Sequence, residues 1–97
     1  MNLKEYAKAI RVLDEEDLDS SDLYVIAEYQ RAKQEGDVTI MSLTKGALLS
    51  KTVMHRRIKS LVEKNVLAKV NVSKDMRVKI LVDGPRMGQI VEYLSEI

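Results

Sequence analysis

The sequence predicts a mainly α-helical domain with one small β-hairpin, an α+β arrangement. Over most of the 97-residue chain, apolar residues recur at intervals of three and four, the spacing that lines one face of a helix. Between residues 66 and 82 the period becomes two, as it does in paired strands. With 45% hydrophobic residues, this length predicts a single domain, residues 1–97, that buries a modest core.

Two helices are predicted in the first third of the chain. The first, residues 3–13, is short and amphipathic, and the acidic run at residues 14–17 is expected to be a solvated linker. Ser20 or Ser21 is then placed to cap a second helix, residues 20–35. Apolar residues cover so much of the circumference of this second helix that we expect it to cross the middle of the core.

Residues 41–65 predict a short helix, a tight turn and a longer helix at residues 50–64. A short β-prone segment, residues 38–40, precedes them. Ser50 is suited to cap the longer helix, because its hydroxyl can accept a hydrogen bond from an unpaired backbone N–H of the first turn. Asn65 tolerates the left-handed conformation that ends many helices.

The helix at residues 50–64 has one apolar face and one mostly basic face. The apolar face carries Met54, Ile58, Leu61 and Val62 at helical spacing. The other face carries Thr52, His55, Arg56 and Lys59. A solvated surface helix is the plain interpretation of such a face, and a binding surface is the alternative that the rest of the chain favours.

Residues 66–82 predict a β-hairpin with a polar, charged tip. Pro85 is well placed at the first position of a last helix, residues 85–97. The apolar residues of this last helix could close the domain core. Together with the helix at residues 3–13, they could instead form a dimer interface, because a short amphipathic helix needs a surface on which to lie.

Charge is distributed unevenly along the chain. Residues 1–41 contain 5 Lys/Arg against 10 Asp/Glu, a net charge of −5, whereas residues 42–97 contain 11 against 5, a net charge of +6. This asymmetry favours a polyanionic partner for the second half of the chain.

Catalytic and metal-binding functions find little support in the sequence. The chain has no cysteine, and His55 is its single histidine, so neither a thiol nor a histidine cluster is available for a metal site or a catalytic triad. No nucleotide-binding glycine pattern is present. We therefore expect no enzymatic activity, no metal and no cofactor. We also expect a cytoplasmic protein without a membrane span, because no apolar run approaches about 20 residues.

The predicted order of elements, α-α-(β)-α-α-β-β-α, is that of a winged helix-turn-helix domain, and the residues resemble the MarR/SarA-like group of regulators. Residues 38–50 (Val-Thr-Ile-Met-Ser-Leu-Thr-Lys-Gly-Ala-Leu-Leu-Ser) look like the first helix and turn of that motif. Residues 50–67 are similar to its recognition helix and exit, with Asn65 where glycine is usual. Asp75-Met-Arg77, followed by an aliphatic strand, resembles the wing. The match covers roughly residues 20–85.

The resemblance implies a transcriptional regulator that binds double-stranded DNA in a sequence-specific manner. The recognition helix, residues 50–64, would enter the major groove, where side chains reach base edges. The wing, residues 73–79, would lie on the adjacent backbone or minor groove. Asp75 could alternatively pair with Arg77 or another arginine and hold the wing tip in shape. The candidate DNA-binding residues are Ser42, Lys45, Lys51, Thr52, His55, Arg56, Arg57, Lys59, Lys74, Arg77 and Lys79.

A homodimer built from the terminal helices would match a palindromic DNA site. Its candidate interface residues are Leu3, Tyr6, Ala7, Ile10, Met87, Ile90, Val91, Leu94 and Ile97. Members of the group often bind a small-molecule effector, but the sequence predicts no pocket for one. Two alternatives to a promoter-specific regulator stay open. One is a winged-helix protein-interaction or assembly module, and the other is an architectural or replication and partition DNA-binding protein.

Overall fold

In the computed structural model, which describes residues 2–72 and 79–95, the chain folds into α-helices and a two-stranded sheet that packs against one of them. The predicted mainly α-helical fold with a β-hairpin is confirmed. The elements, in chain order, are α1 (Leu3–Glu15), α2 (Ser20–Lys33), α3 (Ile40–Thr44), α4 (Lys51–Glu63), β1 (Leu67–Asn71), β2 (Lys79–Asp83) and α5 (Met87–Ser95).

Polar side chains cap the N-termini of α1, α2, α3 and α4. Ser50 caps α4 as predicted, with its hydroxyl accepting a 3.2 Å hydrogen bond from the backbone N–H of Val53. The cap of α2 is Asp19 rather than Ser20 or Ser21. Asp19 and Asp22 each accept a 3.0 Å hydrogen bond from the other residue's backbone N–H, so the acidic pair forms a capping box one residue earlier than predicted.

The acidic run at residues 14–17 is more ordered than a solvated linker. α1 continues through Glu15, and Asp17 adopts a left-handed conformation (φ 59°) that turns the chain towards α2. The Glu16 carboxylate accepts a 2.7 Å hydrogen bond from Arg86, which is 70 residues away in the sequence. Because this partner is distant in the sequence, the local composition could not reveal the contact and suggested a linker.

α2 lies at the centre of the fold, as its apolar circumference predicted. It contacts α1, α3 and α4, and its Val25, Ile26 and Tyr29 are fully buried. The core is completed by Leu13, Leu18, Val38, Leu43, Met54, Ile58, Leu61, Val66, Leu67, Leu81, Met87 and Ile90. Within residues 2–72 and 79–95, no helix is both long enough and apolar enough to cross a bilayer.

The sheet pairs β1 with β2 in an antiparallel register that places Leu67 opposite Asp83 and Asn71 opposite Lys79. A single bridge extends it on the other side of β2, where the backbone N–H of Leu81 donates a 2.7 Å hydrogen bond to the carbonyl of Val38. The β-prone segment at residues 38–40 therefore makes one bridge and then begins α3.

The exit from α4 is closely packed against the end of the hairpin. Asn65 adopts the left-handed conformation expected of it (φ 64°). Gly84 lies so close to this turn that an added Cβ would come within 2.3 Å of the Asn65 carbonyl oxygen. The chain then enters α5, which begins at Met87, two residues later than predicted.

Candidate nucleic-acid interface

The helix-turn-helix is formed by α3 and α4, with residues 45–50 between them. Met54, Ile58 and Leu61 are buried and fix α4 to the core, where it contacts α2, α3 and β1. The Tyr24 hydroxyl accepts a 2.8 Å hydrogen bond from the backbone N–H of Leu48, in the turn. Sequence reasoning missed this contact because the two residues are 24 positions apart.

The side of α4 that faces away from the core is exposed along its length. Thr52, His55, Arg56 and Lys59 are all exposed there, as the helical spacing predicted, and Lys51 lies at the same end as Thr52. Among the described residues, none of the basic side chains of this face forms an ion pair with a carboxylate. We call Thr52, His55, Arg56 and Lys59 the exposed face of α4.

Arg57 does not belong to this face. Its Nη1 lies 2.7 Å from Oδ2 of Asp19 and 4.0 Å from Oδ1 of Asp22, so the guanidinium points to the N-terminus of α2. The sequence analysis counted Arg57 among the candidate DNA-binding residues. The structure differs because position 57 lies at the boundary between the buried and exposed sides of α4, where α2 supplies two carboxylates.

The two acidic residues around Arg57 are in unequal environments. Asp22 is only 1% exposed, and burial raises the pKa of its carboxyl group. Burial acts in the same direction on Asp19, but the backbone N–H of Asp22 and the charge of Arg57 outweigh it and lower the pKa of Asp19. Asp19 therefore stays ionised opposite Arg57. Burial of the charged Asp22 carboxylate lowers the stability of the fold, and the nearby cation of Arg57 offsets part of that loss.

A groove of about 540 Å³ separates α3 from the first half of α4. Its lining brings three predicted DNA-binding residues together, Lys45, Lys51 and His55. Met41 also lines it and is 79% exposed, an unusual position for a large apolar side chain. Sequence reasoning missed Met41, although an apolar residue at the start of a short helix near several lysines was a usable signal.

Ser42 is exposed but already engaged in local structure. Its hydroxyl accepts a 2.9 Å hydrogen bond from the backbone N–H of Thr39 and donates one of 2.9 Å to the Thr39 carbonyl, which stabilises the start of α3. Lys45 follows the last turn of α3 and is exposed.

Part of the predicted wing lies outside the described residues. Lys74 and Arg77, like Asp75, fall in the range 73–78. Lys79 is described and begins β2 as an exposed residue opposite Asn71. The described part of the hairpin is therefore its stem, which consists of β1 and β2.

The proposed dimer residues differ widely in how exposed they are. Leu3, Tyr6 and Ala7 are exposed on α1. Met87 and Ile90 are instead core residues with exposures of 2% and 0%, because α5 packs on its own domain through them. Partly buried positions between these extremes are Ile10, Val91 and Leu94, and Ile97 lies outside the described residues.

No protein-family model matches the sequence, and comparison with curated proteins gives no match. Solved structures of two Staphylococcus aureus proteins do resemble it. A mutant of MepR bound to an oligodeoxyribonucleotide gives a TM-score of 0.78 at 17% identity, covering 96% of this chain and 67% of that one. MepR bound to ethidium bromide gives 0.74 at 17% identity, covering 96% and 66%. MarR in complex with salicylate and kanamycin gives 0.69 at 15% identity, covering 91% and 57%.

This chain therefore spans about two thirds of the MepR chains and 57% of the MarR chain. At 15–17% identity, the likeness is one of fold. The hairpin, the helix-turn-helix and the central α2 together form the winged-helix fold of MepR and MarR, which confirms the fold resemblance to the MarR-like group.

Proposed function

We propose that this chain is a sequence-specific transcriptional regulator that binds double-stranded DNA as a winged-helix domain. α4 and its cap, residues 50–64, would enter the major groove, and the wing, residues 73–79, would contact the adjacent backbone or minor groove. The observation that carries the proposal is the exposed face of α4. A helix fits the major groove, and Thr, His, Arg and Lys are side chains that reach base edges and phosphates.

The MepR structure bound to an oligodeoxyribonucleotide supports the proposal by analogy of fold. In this chain, Arg56 lies near the middle of the exposed face, where it is suited to donate two hydrogen bonds to guanine O6 and N7. Lys45, Lys51 and Lys79 are exposed around it and suited to phosphate oxygens. Acting on DNA in this way, the protein would work in the cytoplasm.

The main alternative is a protein-interaction module whose acidic first half docks a basic partner. Among the described residues, several acidic groups of that half already pair within the chain. Asp19 pairs with Arg57, Glu16 with Arg86, and Asp17 with Lys64. These pairs weaken the case for a basic partner, because they occupy carboxylates that such a partner would need.

The same pairs sharpen the case for DNA. Among the described residues of the second half, Arg57, Lys64 and Arg86 pair with carboxylates of the first half. The other described basic residues of the second half lie on α4, around α3 and on the hairpin stem, where a polyanion could reach them. We include a homodimer in the proposal, since Leu3 and Tyr6 expose apolar surface on α1 and Tyr93 does so on α5. A twofold dimer would present two copies of α4 to a palindromic site.

The decisive experiment is selection of bound sequences from a random pool of duplex DNA, followed by a salt titration on the selected sequence. We expect an enriched motif and a binding constant that falls linearly with salt on logarithmic axes, because bound cations release counterions from the phosphates. Binding without an enriched motif would favour the architectural alternative. Absence of binding at low salt would overturn the proposal and favour the interaction module.

A further inference from the structure

Arg86 lies where the ends of three helices meet. Its backbone N–H donates a 2.9 Å hydrogen bond to the carbonyl of Asn65, just past α4, and its Nη1 donates one of 3.0 Å to the carbonyl of Lys64. Its Nη2 donates to Glu16 twice, at 3.1 Å to the carbonyl and at 2.7 Å to Oε2. One side chain thus joins the C-terminal ends of α1 and α4 at the start of α5. We call Arg86 with these partners the three-helix junction.

The charge of Arg86 suits this position. A helix C-terminus carries a partial negative charge that a cation stabilises. The last turns of α1 and α4, both fully described, contain no basic residue. Arg86 is only 32% exposed and its partner Glu16 17%, so water screens the pair less than it would screen a pair on the open surface.

Other contacts tighten the same junction. Lys64 donates a hydrogen bond from Nζ to the carbonyl of Asp17, which links the end of α4 to the end of α1 a second time. The backbone N–H of Gly84 donates a 2.9 Å hydrogen bond to the carbonyl of Val66. The junction is therefore held by several directed bonds in addition to apolar packing, and directed bonds fix an angle between helices.

We propose that Arg86 is a positioning residue that sets the orientation of α4 relative to α1 and α5, and thereby the half-site spacing that the DNA-bound dimer accepts. The inference rests on the proposed function. α4 would read one half-site, while α1 and α5 carry the surface that joins two protomers. The angle that the three-helix junction fixes is then the angle that sets the distance between the two recognition helices.

The test compares wild type with Arg86→Met, Arg86→Lys and a control, Arg31→Met. The control removes an arginine that pairs with Glu28 at the same 2.7 Å distance, but within α2 alone. Lysine keeps the charge of Arg86 but lacks the planar fork that reaches two helix ends at once. Affinity is measured on duplexes in which two selected half-sites are separated by spacings that differ in single base pairs, and on a duplex with one half-site.

For wild type and Arg31→Met, we expect affinity to fall roughly tenfold when the spacing departs from the optimum by one base pair. For Arg86→Met, the ratio of affinity at the optimal spacing to affinity one base pair away should approach one, and Arg86→Lys should give an intermediate ratio. Affinity of both variants for the single half-site should stay within about twofold of wild type. Circular dichroism melts show whether each variant folds, and the lysine variant carries the test if the methionine variant does not.

Three results would overturn the inference. One is an Arg86→Met or Arg86→Lys protein that keeps the wild-type spacing ratio. Another is an equal loss of affinity on every duplex, the single half-site included, which would make Arg86 only a stabilising residue. The third is a wild type that binds DNA without any spacing preference. A wild type that binds no duplex would instead refute the proposed function, so the two failures are distinguishable.

Discussion

The Tyr29 hydroxyl donates a 2.7 Å hydrogen bond to Oδ1 of Asp83, and so ties the central helix α2 to the last residue of β2. Nζ of Lys33 lies 3.1 Å from the same oxygen. Burial and this hydrogen bond raise the pKa of Tyr29, which itself is fully buried. The hydrogen bond from Tyr29, helped by Lys33, lowers the pKa of Asp83 despite partial burial. The hairpin thus has a polar attachment to the core at its base.

Stability should depend on pH through Asp83. Because the folded pKa of this group lies below its unfolded value, its stabilisation is present above about pH 4 and is lost as the pH falls through the folded pKa. We expect Asp83→Asn to lower the free energy of unfolding by about 1 kcal/mol at pH 7, and the difference from wild type to shrink in acid. Urea denaturation at pH 7 and pH 3 measures it. If the stability difference between Asp83→Asn and wild type is the same at both pH values, the ionised Asp83 carboxylate is not the source of the pH dependence.

Arg56 should matter for reading DNA. We expect Arg56→Ala to weaken binding to the selected sequence by roughly 10- to 100-fold and to relax the base preference at one position. Fluorescence anisotropy on matched and single-base-changed duplexes measures both effects. Arg31→Ala, an exposed arginine on α2, is the control and should bind as wild type does. An equal small loss on every duplex would mean that Arg56 contacts only phosphate.

Arg57 should matter for folding rather than for DNA. Arg57→Met leaves the buried Asp22 without its cation, so we expect a loss of about 1–3 kcal/mol in the free energy of unfolding at pH 7. The loss should diminish in acid, because removing the cation raises the pKa of Asp22 further and protonation then relieves the buried charge. Unchanged stability with a flatter salt dependence of DNA binding would contradict this prediction and support a contact between Arg57 and a DNA phosphate.

Gly84 should not tolerate a side chain. We expect Gly84→Ala to destabilise the fold by about 1–3 kcal/mol, because the new Cβ would come within 2.3 Å of a backbone oxygen of Asn65 that cannot easily move. Gly88→Ala is the matched control. Gly88 lies within α5 with nothing within 4 Å of its Cβ position, so this change should stabilise by about 0.5–1 kcal/mol. Thermal melts of both variants test the contrast, and equal melting temperatures would refute it.

The exposed end of α1 should contribute to the dimer. Leu3 is 86% exposed, and we expect Leu3→Glu to raise the dimer dissociation constant at least several-fold, because it places a charge in an apolar interface. Leu48→Glu changes a leucine that is 89% exposed in the helix-turn-helix and should leave the dimer intact. Sedimentation equilibrium measures both. A wild type that is monomeric at all concentrations, or an unaffected Leu3 variant, would contradict the proposed interface.

Local signals in the sequence predicted the helix-turn-helix well. The cap at Ser50, the left-handed Asn65 and the two faces of α4 all follow from interactions within a few residues, which a sequence displays directly. The cap of α2 was misplaced by one residue, because Asp19 and Ser20 are both good capping residues and only the geometry of the capping box with Asp22 decides between them.

Contacts between distant residues could not be predicted in the same way. Arg57 and Arg86 are of a residue type that often binds DNA, yet each pairs with an acidic group far away in the sequence. The periodicity of α5 shows that one side of the helix is apolar, but it cannot divide that side between the domain core and a partner. The structure assigns Met87 and Ile90 to the core.

The three-helix junction holds α4 through main-chain oxygens, those of Lys64 and Asn65, and the core holds it through Met54, Ile58 and Leu61. None of these attachments involves the outward side chains of the helix. Residues at the outward positions can therefore be substituted without changing the contacts that hold α4 in place. Under the proposed function, duplicated copies of such a gene could acquire new target sites through a few substitutions on this face and keep the same fold.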